Sequence, residues 1–521
     1  MQVNTLVKKI SLSLSPLEVY KRLCDKGLKE HTALLETAEA GTQAHRKSII
    51  AISSAVEIKA LNNRVMLTAL NDNGVAFLQR LDTDVLSDFS VKKTELCLEL
   101  VLNPLPIVTD EDERLGQSSI LDVLKLVQSA IQTGNRENDE SSLLLGAFSF
   151  DLVDQFEALP KINKSYEDYI FYLADQLLIQ SMDNNSAQII VKGFGQNATN
   201  DIRLGLNITQ LEESLQEELL QEGHCEAQEP KITVSNKVSV NLSDEEFKKQ
   251  VKQAKKHIID GDVFQVVLSR DYQLDCPKPI IAYEKLRSSN PSPYMYFLNF
   301  GDKQLFGASP ESCLKVTPQK EVSLYPIAGT RKRAFKNDVI DFERDSQVEY
   351  ELIEDRKEAA EHMMLVDLAR NDLARIIRNG SRKITQLKKI VKYSHVMHLV
   401  SEVKGVLKEE IDSLDAYKAC SNMGTLTGAP KIKAMEIIRD YEQKSRGFYG
   451  GAVAVLNAND EFDSAIIIRS ALVKNNVATV TAGAGVVFDS IPSDEAQETD
   501  NKAKAVLSAC LSVTCDSEVA A

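Results

Sequence analysis

Three apolar runs near the C-terminus, Gly451–Asn457, Ala465–Val473 and Val477–Val487, succeed one another across an Asn459-Asp460 turn and an Asn475-Asn476 turn. Runs of this length joined by turn dipeptides read as an antiparallel meander. The same device recurs upstream. Asn62-Asn63 separates Ser48–Ile58 from Val65–Leu70, and Gly301-Asp302 separates Tyr294–Phe300 from Gln304–Ala308; His31–Ala38 is a further strand. Hairpins in runs, with helices between them, predict an α+β fold rather than a doubly wound parallel sheet. At 521 residues and 43% hydrophobic content, the chain has room for one very large domain or two to three ordinary ones.

Helix signals punctuate the strands. A Leu/Glu/Gln-rich helix over Leu211–Glu222 is closed by Gly223, and the polar stretch from His224 to Pro230 reads as a linker, dividing the chain into residues 1–230 and 240–515. Ser243-x-x-Glu246 is a capping box, and Phe247, Val251, Ala254 and Ile258 recur at helical spacing up to Gly261. A strand at Val263–Ser269, a long helix over Val348–Ile377 and a last helix from Ser493 through Leu511 complete the pattern. The net charge of −15 argues against nucleic-acid or anionic-membrane partners, which need a positive surface. An anionic small substrate is still allowed, because arginines and a metal can reverse the sign inside one cleft. The eight cysteines form no Cys-x-x-Cys pair, and no run of about 18 apolar residues occurs. These features predict a reduced, cytoplasmic protein.

Several constellations could carry chemistry. Glu358 and Glu361, and again Glu495 and Glu498, are spaced i,i+3 on predicted helices and so share a face. Such pairs are more often solvated helix faces; facing each other, they would offer hard oxygen ligands to a divalent cation. Glu311 follows Ser309-Pro310 at a strand end, where it is either a turn carboxylate or a general acid on a rigid support. His395 and His398 lie among apolar residues, where a histidine is more often structural than reactive. Arg469 interrupts the apolar Ile466-Ile-Ile, so it points into a cleft or pairs internally, and a guanidinium fork suits a carboxylate. Tyr449 offers a phenol ahead of Gly450-Gly451. Gly424-Thr-Leu-Thr-Gly-Ala-Pro-Lys431 lacks a P-loop ending, and Gly483-Ala484-Gly485 lacks the third glycine of a dinucleotide fingerprint. Their glycines read instead as positions that let backbone N–H groups approach a carboxylate.

Pro326-Ile-Ala-Gly-Thr330 resembles the Pro-Ile-x-Gly-Thr signature of the chorismate-utilising enzymes, and several other motifs over residues 240–512 follow in that family's order. The resemblance implies a large β-sandwich of mostly antiparallel strands flanked by helices, with the substrate in a cleft between its halves. It implies magnesium on Glu361 and Glu498, with Glu358 and Glu495 acting through water. Glu311 is then the acid toward the departing ring hydroxyl, His398 the catalytic histidine and His395 incidental. Gly329, Thr330, Thr425, Tyr449, Arg469, Gly483, Ala484, Gly485 and Lys502 line the chorismate site by the same resemblance. Leu365–Asp372 is a further family hallmark, to which no role is assigned.

Relatives differ in nucleophile. Members that form aminodeoxychorismate typically carry lysine where this chain has Ala328, and members that use water place a lysine base where it has Gln265. A neutral amide cannot activate water as an amine can, so ammonia is the expected nucleophile. The resemblance thus implies the anthranilate-forming branch, with ammonia supplied from glutamine by a separate amidotransferase subunit, since this chain has no Cys-His-Glu amidotransferase signature of its own. Alternatives are the aminodeoxychorismate-forming branch, or an inactive regulatory subunit that binds tryptophan. Leu34-Leu-Glu36-Thr37, Lys47 and Asn290-Pro-Ser-Pro293-Tyr294-Met295 resemble the family's site for L-tryptophan as feedback inhibitor; Thr37 stands for a serine, and Val455 and Ala465 for a tyrosine and a cysteine.

Overall fold

Two antiparallel sheets lie face to face between layers of helices in the computed structural model, which describes residues 3–38, 45–106, 108, 110–135, 139–194, 198–216, 237–336, 339–393 and 396–515. The first sheet runs, neighbour by neighbour, through strands Asn4–Ser11, Ser186–Gly193, Tyr169–Ser181, His45–Leu61, Thr32–Ala38, Tyr294–Asn299, Lys303–Ser309, Ser470–Lys474, Val477–Val486 and Gln265–Asp275. The second runs through Leu143–Phe148, Ala452–Asn457, Phe462–Ile466, Ser312–Val316, Glu321–Leu324, Val396–Val406 and Ile327–Lys332. They meet at the long strand Tyr169–Ser181, whose first half pairs with Leu143–Phe148 and whose second half pairs with Ser186–Gly193. Both sheets therefore contain strands from before residue 230 and from after residue 240, joined in the first where Thr32–Ala38 pairs with Tyr294–Asn299 and in the second where Leu143–Phe148 pairs with Ala452–Asn457.

Side-chain alternation decides what each face meets. Leu35, Leu145, Tyr172, Leu298, Leu305 and Val453 fill the space between the sheets. The outer face of the first sheet packs Phe297, Phe306, Val480 and Ala482 against helices Pro279–Ser289 and Pro492–Cys515. The outer face of the second packs Leu314, Leu324 and Val403 against helices Arg356–Ala374 and Ser413–Cys420. Burying one such side chain fully is worth roughly 1.5–3 kcal/mol, so three such layers make this a well-cored sandwich. Among the described residues no helix is long and apolar enough to cross a membrane.

Local signals hold where they are strong. Ser243 and Glu246 make both arms of the capping box on helix Asp244–Ile259, and Gly261 just beyond it takes φ +84°. The helix expected over Leu211–Glu222 begins earlier, as Ala198–Gln216; its last residues and the linker 224–230 lie outside the described residues. Two expectations are corrected. The long helix over Val348–Ile377 is two helices, Phe342–Glu354 and Arg356–Ala374, because Asp355 takes an extended conformation and its carboxylate caps the second by accepting from Lys357 and Glu358 N–H. The run Ala465–Val473 is two strands, Phe462–Ile466 and Ser470–Lys474, broken where Arg469 adopts φ +50°. The meander is therefore two hairpins, one in each sheet.

Candidate active site

Glu311 and Arg469 both sit where the chain crosses from one sheet to the other. Pro310-Glu311 links Lys303–Ser309 to Ser312–Val316, and Ile467–Arg469 links Phe462–Ile466 to Ser470–Lys474. The crossings are tied together: Ile466 N–H donates to Glu311 C=O at 3.0 Å, and Ala308 N–H to Arg469 C=O at 3.1 Å. Burial pushes the Glu311 carboxyl up to about 7, against the Thr425 hydroxyl that donates to its Oε1 at 3.0 Å and the nearby Lys502. Arg469 donates to the Lys502 carbonyl at 2.8 Å. Burial pushes the guanidinium down, with Tyr449 and Glu498 opposing. No carboxylate forms an ion pair with it among the described residues, which leaves its fork for an incoming carboxylate.

The opposite wall is the pair of strands Ile327–Lys332 and Val396–Val406. Thr330 faces His398 in the ladder, and its hydroxyl lies 2.9 Å from His398 Nδ1. Burial first, and Arg469 second, push the imidazole down to about 4, so it is neutral near pH 7. Tyr393 stacks edge-on against that ring at 5.4 Å. The ladder slips between Ala328 and Thr330, where Gly329 takes φ +69° and passes so close to Glu358 that a Cβ there would lie 3.1 Å from its Oε2. His395 lies outside the described residues.

Gly483 and Gly485 form the floor on strand Val477–Val486. A Cβ on Gly483 would meet the Tyr449 hydroxyl at 2.7 Å, and one on Gly485 would meet Gln265 Nε2 at 2.9 Å. Small residues here keep the backbone open to a ligand. Lys502 donates to Gly483 C=O at 2.9 Å and pairs with Glu498 at 2.6 Å. Ala484 is a correction: alternation turns its side chain into the core with Leu268 and Val486, so only its backbone borders the cleft. Arg446 and Glu442, a buried pair that the sequence reading did not single out, brace Tyr449 from behind; the guanidinium lies 5.7 Å from its ring centre.

The two Glu pairs come from helices Arg356–Ala374 and Pro492–Cys515, which face each other across the mouth. Burial raises Glu361 and Glu495 above the ordinary carboxylate range, and like charge adds to it from Glu358 and Glu498 on Glu361 and from Glu498 on Glu495. Cations partly offset this crowding: Arg331 meets Glu358 at 2.7 Å and Lys357 meets Glu361 at 3.7 Å. Among the described residues no three His, Cys, Asp or Glu side chains stand close enough to enclose a metal. An all-oxygen, mutually repelling set with an open side fits magnesium held by one or two carboxylates and water, not an all-protein cage.

A second cavity gathers Glu36, Thr37, Lys47, Tyr294, Met295, Val455 and Ala465 from three separate stretches of sequence. Pro293 is not in its wall. The Glu36 carboxylate is already engaged, accepting from the Tyr283 hydroxyl at 2.8 Å and from Arg287 at 2.8 Å, so it positions the strand rather than offering a free acid. Asp463, overlooked in the sequence, also lines this cavity, 3.1 Å from Lys315. Its signal was the one noticed for Arg469, a charge within an apolar strand.

A family model described as a chorismate binding enzyme matches residues 89–508. Among curated proteins, the chain is 43% identical over 502 residues to anthranilate synthase component 1 of Escherichia coli (strain K12), covering 95% of this chain and 94% of that one. It is 42% identical to anthranilate synthase component 1 of Buchnera aphidicola subsp. Acyrthosiphon pisum, covering 96% of each. The crystal structure of anthranilate synthase component I from Streptococcus pneumoniae TIGR4 superposes with a TM-score of 0.67 at 29% identity, over 95% of this chain and 97% of that chain. The Escherichia coli isochorismate synthase MenF superposes at 0.64 over 98% and 95%; at 16% identity it shares the fold.

Proposed function

This chain belongs to the chorismate binding enzyme family, and from that premise we propose that it is the large subunit, component 1, of an anthranilate synthase. It converts chorismate and ammonia to anthranilate and pyruvate, opening tryptophan biosynthesis. The observation that carries this over the related reactions is an uncharged pair. Gln265 presents a neutral amide beside Gly485, and Ala328 precedes the Gly329 bulge, so neither position offers a lysine to activate water or to act as nucleophile.

In this reading one carboxylate of chorismate docks on Arg469 and Tyr449, and backbone N–H groups around Gly329 and Gly483–Gly485 orient the ring. Ammonia adds at C2 while the C4 hydroxyl leaves as water, taking the proton that buried Glu311 holds near neutrality. Neutral His398, held by Thr330, then accepts the C2 proton as the C3–O bond breaks, pyruvate departs and the ring becomes aromatic. Magnesium, when bound by Glu361 and Glu498 with Glu358 and Glu495 behind water, supplies positive charge to the ring carboxylate. Glutamine amidotransferase component II provides the ammonia, and the subunit works in the cytoplasm, as suits the free cysteines among the described residues.

The test is direct: the purified chain, chorismate, magnesium and an ammonium salt should give anthranilate fluorescence. Accumulation of aminodeoxychorismate without anthranilate, or of isochorismate, would overturn the assignment. Thr425→Val removes the hydroxyl that stabilises ionised Glu311, so the alkaline limb of the kcat/KM profile should move up by roughly half to one pH unit; an unmoved limb would remove Thr425 from tuning the acid. The second cavity is the L-tryptophan site in this reading. Val455→Tyr restores an aromatic wall, worth about 0.5–1.5 kcal/mol, and should lower the half-inhibitory tryptophan concentration by roughly two- to tenfold.

A further inference from the structure

A cavity of about 370 Å³ lies behind the substrate cleft and shares one wall with it, the Tyr449 side chain. Both are built on strand Val477–Val486. Successive residues of a strand face opposite sides, so Thr479, Thr481, Gly483 and Gly485 occupy one face. The two glycines floor the cleft, and the two threonines line the cavity. Tyr449 divides this groove, because its hydroxyl stands 2.7 Å from where a Gly483 Cβ would be. Ile467 and Ser470, from the crossing that carries Arg469, line the cavity as well. Its far end opens between the exposed Asn163 and Ser165 and residues 443–445, which follow helix Lys431–Glu442.

The charges on this lining satisfy one another. Lys444 pairs with Asp271, which also accepts from the Thr481 hydroxyl at 2.8 Å. Arg446 donates to Glu442 at 2.6 Å and to the carbonyls of Leu426 at 2.7 Å and Val267 at 2.8 Å. The remaining hydroxyls and amides can hydrate a small anion without holding it, and a passage needs binding strong enough for entry yet weak enough for departure. The order of groups along the cleft says which anion. Glu361 and Glu498 stand at the mouth, where they serve the ring carboxylate, so the carboxylate on Arg469 and Tyr449 is that of the enolpyruvyl side chain. When the C3–O bond breaks, pyruvate is therefore released at the inner end. The aromatic product stands between it and the mouth, whereas the Tyr449 ring stands between it and the cavity. Among the described residues the Tyr449 hydroxyl makes no hydrogen bond within the fold, so turning this ring breaks none.

We propose that this cavity is the exit for pyruvate, with Tyr449 as the gate between it and the reacting ring. The proposal rests on the anthranilate synthase reading. The test compares the full wild-type chain with Thr481→Phe and Thr479→Phe, which fill the cavity from half-buried positions, and with Thr481→Val, which keeps the space and loses only the bond to Asp271. Each is mixed with chorismate, magnesium and ammonium salt, and anthranilate is followed by rapid chemical quench through the first turnover and into the steady state. Both phenylalanine variants should complete the first turnover within about twofold of the wild-type rate constant and then slow by roughly tenfold or more, leaving a burst of about one anthranilate per subunit, the mark of product release limiting kcat. Thr481→Val should keep the wild-type steady rate within about twofold, since the passage stays open. An unchanged steady rate in both phenylalanine variants would overturn the proposal, as would a first turnover that slows in step with it. So would a slow steady rate in Thr481→Val, or a raised chorismate KM at unchanged kcat, which would make the cavity an entrance. Failure of the wild-type chain to form anthranilate from ammonium would instead overturn the functional reading itself, before any variant is made.

Discussion

Glu311→Gln is expected to lower kcat for ammonium-driven anthranilate formation by roughly a hundred- to ten-thousand-fold, the range for losing a positioned general acid. The substitution keeps the shape and leaves the Thr425 hydroxyl a carbonyl oxygen to donate to, but it removes the transferable proton. KM for chorismate should change little, because Arg469 and the glycine floor remain. The wild-type profile should also reveal the group. Burial holds Glu311 up to about 7, from an ordinary value of 4.5, so the protonated, competent form is lost as pH rises through about 7 and kcat/KM falls on that side. Stability follows the same sign: the folded chain binds this proton more tightly than the unfolded chain. The contribution is full below about 4.5 and is lost as pH climbs to about 7. Glu311→Gln should flatten both dependences. A variant that keeps kcat within a few-fold and retains the alkaline limb would take the acid role away from Glu311.

Glu498→Gln should be comparably damaging through a different route. Glu498 contributes like charge to both Glu361 and Glu495, and its own partner is Lys502 at 2.6 Å. A neutral amide removes one of two proposed magnesium ligands and releases that lysine beside the Gly483 carbonyl. Loss of charge stabilisation worth several kcal/mol corresponds to a rate lower by roughly a hundredfold or more, at 1.36 kcal/mol for each factor of ten. Raising magnesium should recover part of the rate, since Glu361 persists, whereas in Glu361→Gln/Glu498→Gln it should recover none. The Glu498 side chain is about half exposed (46%), so thermal stability without metal should hold or rise as like charge is removed. Full activity of Glu498→Gln at limiting magnesium would exclude the residue from the metal site.

Much of the fold was legible because its signals are local. Asn62-Asn63, the Ser243–Glu246 box and the alternation through Tyr294–Ala308 act over a few residues, and the strands, helix and hairpins they predict are present. The failures share one cause. Asp355 sits in a continuous helical pattern and Arg469 is a single charge in an apolar run, and only tertiary placement makes one a cap between two helices and the other a left-handed crossing. Ala484 shows the same limit at the scale of one side chain, since its glycine neighbours mark a ligand-facing strand but pleating sends its methyl group to the other side.

By itself the sequence determined the residue types: paired glutamates, a carboxyl after Ser-Pro, two glycines around Ala484, and no lysine at 265 or 328. The tertiary structure decided which of them act on one another. It brings Glu311 and Arg469 together because two strands change sheets side by side, and it sets a buried carboxyl near 7 opposite an imidazole near 4. Chemical identity is a property of each residue, whereas desolvation and proximity, which shift its protonation, arise only when distant segments share one cleft.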